Sequence, residues 1–137
     1  MENILLVCHS DREIGLGHLG RTLSVAKSIK KQNKLNPLIL VIGEIFELEG
    51  LSEFSVEVCD SFSTFKRDLS NFLKRLNPKL ITFDLYSADL ILDIGDFLKE
   101  LKSLGLLLVV IDSLVEFRNI VDLVWIPSIS FDAKQYA

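Results

Sequence analysis

The sequence predicts an α/β fold, an open parallel sheet of about six strands with helices on both faces. Three observations carry that expectation. Apolar segments of strand character alternate along the chain with segments of helical period. Several strands read as unbroken apolar runs, such as ILLV at 4–7 and LLLVVI at 106–111, the pattern of strands covered on both sides. The 137 residues are 49% hydrophobic and 25% charged, which suits one domain (1–137) with a sizeable core and excludes a disordered chain.

The elements follow in order. NILLVC (3–8) is the first strand. From Leu19 a helix sets Leu19, Leu23, Ala26 and Ile29 on one stripe, with Arg21, Ser24, Lys27 and Lys31 facing elsewhere. LILVIG (38–43) is the second strand, EIFELEGLSEF after it leaves room for one brief turn, and SVEVC (55–59) is the third strand. In STFKRDLSNFLKRLN the residues Phe65, Leu69, Phe72, Leu73 and Leu76 share a face, Ser63 or Thr64 is the expected N-cap, and Pro78 stops the helix. KLITFD (79–84) is the fourth strand. A helix from Ala88 to Ser103 ends at Gly105. LLLVVID (106–112) and DLVWIP (122–127) complete the set. Right-handed crossovers then give the strand order 3-2-1-4-5-6.

The net charge of −4 excludes a broad basic surface for nucleic acid, though not a local anion site. The longest apolar run, LLLVVI, is far shorter than the roughly 20 residues that span a bilayer. The opening MENILLVCHSDRE has no basic start and turns acidic at once, so no secretory signal is expected and the protein reads as cytoplasmic. Cys8 and Cys59 fall in strand segments and are expected to be buried, reduced thiols. KSIKKQNK is most simply a solvated helix end, with its cations at the favourable terminus; a peripheral contact with an anionic membrane would need more than this patch.

The chemistry concentrates in EIGLGHLGRTLS. Gly15, Gly17 and Gly20 satisfy the G-x-G-x-x-G spacing of a dinucleotide turn, and Glu44 after the second strand imitates its ribose-binding acid. In that fingerprint the first glycine follows the strand almost directly, whereas HSDREI intervenes here, which disfavours a nicotinamide or flavin cofactor. A better reading makes the glycines clearance around His18. A helix starting at about His18 or Leu19 puts the imidazole at the positive end of the helix dipole, which favours the neutral ring that a general base requires. Free first-turn amides and Arg21 would face an anionic group. The plain alternative for His18 is a helix-end capping residue.

The run E-I-G-L-G-H-L-G-R-T-L-S-V-A resembles the motif G-x-G-H-x-x-R-x-x-x-L-A of a group of nucleotide-sugar enzymes. These are spore-coat polysaccharide biosynthesis proteins, the UDP-sugar hydrolases of pseudaminic-acid synthesis and related GT-B glycosyltransferases of the family 28 type. Gly15, Gly17, His18, Arg21 and Ala26 fill the motif, with Val25 where Leu is commoner. FDLY (83–86) is similar to the Asp-x-Tyr that follows the fourth strand in the hydrolases, and VVIDS sits where the family often carries Asp-Asp. VDLVWIPS resembles a further family strand, with Ile126 in place of the usual Asn.

The resemblance implies the Rossmann-like N-terminal half of a GT-B enzyme. His18 would be the catalytic base, and Gly15, Gly17, Arg21, Asp84, Tyr86 and Asp112 would bind substrate. A nucleotide-sugar, expected to be a UDP-sugar, and a sugar or lipid-linked acceptor are the implied ligands. The nucleotide-binding half is not among the 137 residues, so it implies a C-terminal domain in a longer chain or in a separate subunit, and an inactive domain alone.

Asp84 and Asp112 end strands on the edge of the sheet where open α/β folds bind ligands, and either could orient His18 or hydrogen-bond a sugar hydroxyl, with N-capping as the plain alternative for each. Tyr86 follows the same strand end, with exposed packing as its alternative. Asp11, Arg12 and Glu13 lie in the loop between strand and glycines, where they would rim the acceptor site, with a solvated loop as the equal alternative. His9, Asp11 and His18 match no strong metal motif, so no metal and no cofactor is expected. A UDP-sugar hydrolase and a non-catalytic binding subunit are the competing readings, and a dehydrogenase-like cofactor domain comes last.

Overall fold

A computed structural model of the chain describes residues 1–12, 17–85 and 93–127. Its six strands are β1 (Glu2–Ser10), β2 (Leu35–Gly43), β3 (Ser55–Cys59), β4 (Leu80–Asp84), β5 (Leu107–Ile111) and β6 (Leu123–Trp125). They form one parallel sheet in the order β3-β2-β1-β4-β5-β6, as the sequence predicts. The helices are α1 (Gly17–Lys31), α2 (Phe62–Leu76) and α3 (Ile94–Ser103). The segment between β2 and β3 holds a single 3-10 turn, Leu51–Glu53, where the sequence leaves room for one.

Side-chain alternation sorts the strands into two cores. Ile4, Leu6 and Cys8 of β1 and Ile39 and Val41 of β2 pack under Leu19, Leu23 and Ala26 of α1. Leu5, Val7, Leu38, Leu40, Ile42, Ile81 and Phe83 point to the other side, where Phe65 and Leu69 of α2 and Phe97, Leu98 and Leu101 of α3 cover them. Phe65 is fully buried and meets Phe83 and Phe97 edge-on, with centroids 6.4 and 6.0 Å away. Burying each such ring is worth about 1.5–3 kcal/mol. The same alternation sends Thr82 and Asp84 of β4 to the α1 side, and that places the functional edge.

Element ends depart from expectation at several points. β1 runs on to Ser10, because pairing with β2 continues through His9↔Ile42 and Ser10↔Gly43. Only Asp11–Ile14 then separate the strand from Gly15, so the delay before the glycines is shorter than the sequence suggests. α2 is capped at Ser61, not Ser63 or Thr64, since the first turn already contains Phe62, whose ring packs on the sheet. Its end agrees with the role given to Pro78: Asn77 adopts φ 45° just before it. The described part of α3 begins after Asp93; the expected start at Ala88 lies outside the described residues. Gly105, at φ 84°, closes α3 through its N–H to the Lys102 carbonyl at 3.0 Å.

Both cysteines are free and buried, as expected. Burial pushes the Cys8 thiol up to about 12, with a smaller opposing hydrogen bond to Thr22. Thiol reagents at mildly alkaline pH should therefore leave Cys8 unmodified in the native protein and label it only after unfolding. Rapid native labelling of Cys8 in a peptide map would contradict this packing.

The far edge is tied by Asp122, which accepts from Lys102 Nζ at 2.7 Å and from the Leu108 N–H at 2.8 Å. Those bonds, Lys102 first, hold its carboxyl below the ordinary 3.8. A lowered folded-state value contributes stability above the unfolded pKa and loses it as pH falls through the folded one. Wild type and Asp122→Asn should therefore unfold at different urea midpoints at neutral pH, with a gap that begins to close only below about pH 4 and shrinks further as pH falls through the lowered folded-state value. A separation that stays constant across that range would show that the carboxylate does not carry it.

Candidate functional site

The site lies at the C-terminal edge of β1, β4 and β5, where the direction of strand progression reverses and open α/β sheets leave a crevice. Parallel pairing aligns Cys8 with Asp84, so the last residue of β4 lies beside the end of the central strand. Asp84 is 1% exposed and turned towards α1. Its two carboxylate oxygens are fully engaged by the first turns of that helix. Arg21 Nε donates to Oδ2 at 2.6 Å and Nη2 donates to Oδ1 at 2.5 Å, a forked pair. His18 Nδ1 lies 2.6 Å from the same Oδ1.

This geometry assigns the tautomer. An ionised carboxylate only accepts, so Nδ1 carries the proton and donates, which leaves Nε2 as the basic nitrogen of the ring. Asp84 orients His18, and Arg21 orients Asp84. A carboxylate this deep, on one side of an imidazole, is the arrangement that holds a general base in a working orientation. The described part of the helix carrying His18 begins at Gly17, so His18 lies inside its first described turn. Its Nδ1 bond to Asp84 also disposes of the capping alternative for His18.

Arg21 sits between two strand ends. Besides Asp84 it approaches Asp112 at 3.5 Å through Nη1, and these partners, the Asp84 hydrogen bonds first, hold the guanidinium above its ordinary value. Where the sequence had Arg21 facing elsewhere or meeting an anion, the structure engages it with carboxylates of this chain. Asp112 follows β5 with φ 57°, and its N–H donates to the Trp125 carbonyl at 2.8 Å. It caps no helix: the 3-10 turn at Val115–Phe117 is capped by Leu114. Gly17 opens α1 with free space where a Cβ would be, while Gly15 and Tyr86 lie outside the described residues.

The three potential metal-binding residues do not converge. His9 Nε2 meets Asp11 Oδ2 at 2.9 Å, whereas His18 turns to Asp84. Among the described residues no group of three His, Cys, Asp or Glu is placed to hold a metal ion. An apolar groove of about 450 Å³ runs between the C-terminal ends of α2 and α3, at the opposite end of the sheet, and none of the expected site residues lines it.

No protein-family model matches the chain, and no curated protein does. The crystal structure of S. aureus homoserine dehydrogenase at pH 7.0 superposes with a TM-score of 0.51 at 10% identity, over 92% of this chain and 33% of that one. The fold is Rossmann-like. The chain spans about a third of the length of that dehydrogenase, and at this identity the likeness extends to the fold alone. Among the described residues no helix of this Rossmann-like domain is long and apolar enough to cross a membrane.

The sequence offers Asp84 and Asp112 each as a group that could orient His18, and the structure gives that contact to Asp84; the Arg21 fork on Asp84 is the part the sequence did not offer. It also left His9 as a failed metal ligand. The burial of His9 and Ser10 was legible: two polar residues end an apolar run that must be buried, at the ligand-binding edge of the sheet.

Proposed function

We propose that this chain is the N-terminal, acceptor-side half of a nucleotide-sugar-dependent GT-B glycosyltransferase of surface polysaccharide or glycoconjugate biosynthesis. The observation carrying the reading is the imidazole of His18 fixed through Nδ1 on buried Asp84, which leaves Nε2 basic at the ligand edge of the sheet. The H-x-x-R spacing of the resembling motif supports it from the sequence side.

In this reading His18 Nε2 takes the proton of an acceptor hydroxyl as that oxygen bonds to the anomeric carbon and the bond from that carbon to the UDP oxygen breaks. Asp84 and Arg21 are positioning residues. Gly15 and Gly17 give clearance beside the base, and Tyr86 and Asp112 meet the sugars. A C-terminal GT-B domain, in the same chain or a separate subunit, supplies most contacts to the nucleotide. The reaction needs neither a metal nor an organic cofactor, and it takes place in the cytoplasm.

The same base acting on water describes a UDP-sugar hydrolase, a reading favoured by Asp84 and Tyr86 in the Asp-x-Tyr pattern. UDP release by the enzyme complete with its nucleotide-binding half separates the possibilities. Release that requires a sugar or lipid-linked acceptor identifies a transferase, and release without one identifies a hydrolase. No release with any UDP-sugar overturns both and leaves a binding subunit. The extension of β1 to Ser10, which shortens the delay before the glycines, lends some support to a dehydrogenase-like domain. Calorimetric titration with NAD tests it, and silence removes it.

A further inference from the structure

The groove between the C-terminal ends of α2 and α3 lies remote from His18, and its walls are chemically uneven. Leu73 of α2, Phe97 and Leu101 of α3 and Leu104 just beyond it line the groove, together with Pro78 and Leu106 from the turns that lead into β4 and β5. Phe97 and Leu101 are buried, whereas Leu104 is 69% exposed, so the apolar floor runs out to solvent. A volume of about 450 Å³ falls in the range of small-molecule sites.

The chain as a whole carries a net charge of −4, yet cations dominate this groove. Lys74 and Lys79 line it, and Glu100 is the single carboxylate among the lining residues. A third lysine, Lys66 of α2, places Nζ 5.7 Å from the centroid of the Phe97 ring. Among the described residues none of these three lysines is in an ion pair, and neither is Glu100. The two helix ends add little charge of their own, because their carbonyls already have donors. Those of Leu73 and Leu76 accept from the Asn77 N–H and from Asn3 Nδ2, and those of Leu101 and Lys102 accept from the N–H groups of Leu104 and Gly105. Side chains therefore set what the groove prefers.

An apolar slot with ammonium groups on its rim matches an amphiphile of negative charge, and its size suits one chain rather than a folded partner. We propose that this groove binds a single-chain fatty carboxylate. The alkyl chain lies along Leu73, Phe97, Leu101 and Leu104, and the carboxylate sits between Lys74 and Lys79. The stems of those lysines extend the apolar wall while their ammonium groups stay in water. Glu100 restricts the head group to a single negative charge. The site shares no residue with the cluster of His18, Arg21 and Asp84, so it stands apart from the glycosyltransferase reading.

The test is a titration of the nitrogen-labelled chain with decanoate below its micelle concentration, followed by NMR at the amides of Leu73, Asn77 and Gly105. Decylammonium and acetate serve as separate probes. Decanoate should shift these amides saturably, and acetate, which has the charge without the chain, should leave them unmoved. Decylammonium should bind about tenfold more weakly or worse, since attraction at the head becomes repulsion. Lys74→Gln combined with Lys79→Gln, both at exposed positions, should weaken decanoate about fivefold to tenfold and remove its advantage over decylammonium. Leu104→Ser, also exposed, should weaken both amphiphiles alike. The proposal is overturned if decanoate leaves the groove amides unmoved, if decylammonium binds as tightly, or if the paired glutamine variant keeps wild-type affinity. Binding to phosphatidylglycerol vesicles without saturable binding of decanoate would make these lysines a membrane contact and overturn it as well.

Discussion

Arg21→Met lowers the free energy of unfolding by about 3–5 kcal/mol, because it strands a charge rather than removing a contact. Asp84 is 1% exposed and takes two of its three side-chain hydrogen bonds from the Arg21 fork, at 2.6 and 2.5 Å. Methionine keeps the length and apolar stem of arginine and leaves that carboxylate with His18 alone. Asp84→Asn should cost less, since the guanidinium left behind is a quarter exposed and still has Asp112 at 3.5 Å. The double variant should be less destabilised than the sum of the single ones, as removing both charges removes the uncompensated one. Urea unfolding of the four proteins measures this cycle. An Arg21→Met protein within about 0.5 kcal/mol of wild type, the range of ordinary surface changes, would show that Asp84 is not held as described. A buried ion pair is a poor source of net stability, so its presence at a strand end fits a group kept for what it positions.

His18→Ala should reduce turnover of the complete enzyme by about 10²–10⁴, the usual contribution of a positioned general base. In the proposed reading nucleotide-sugar binding should change little, because there the base acts on the acceptor or on water. Asp84→Asn should also lower turnover: its amide can offer donors where Nδ1–H needs an acceptor, which leaves the ring unoriented. Its effect should fall on kcat more than on KM, as for a group that acts through another. Steady-state kinetics of both variants decide the matter, and wild-type kcat in His18→Ala would end the base assignment.

The sheet was legible in the sequence because its signals are local. Short unbroken apolar runs read as strands. ILLV of β1 is covered on both faces, whereas LLLVVI corrects that expectation, because Leu107 of β5 is 49% exposed and no described helix covers that face there. The helical stripes of Leu19, Leu23 and Ala26 and of Phe65 and Leu69 depend on residues within a few positions of each other. Strand order followed from the handedness of crossovers, which is a property of any L-chain. Ends were less legible. β1 reaches Ser10 because β2 offers it partners there, and α2 starts at Phe62 because that ring has a sheet to cover. Neither reason exists in the segment itself.

The sequence by itself determined the class of fold and placed His18, Asp84 and Asp112 at one edge of the sheet, since turn glycines and strand ends can be read from spacing. Only the tertiary structure decided that Asp84 holds both His18 and Arg21, across 66 and 63 positions of chain. That outcome depends on the register Cys8↔Asp84 and on which side of β4 faces α1, and a shift of one residue would turn Asp84 to the opposite face. The packing of Phe62 against His9 has the same origin. His9 and Asp11 are neighbours in sequence, but Phe62 and Gly43 reach them only through the pairing and packing of other elements.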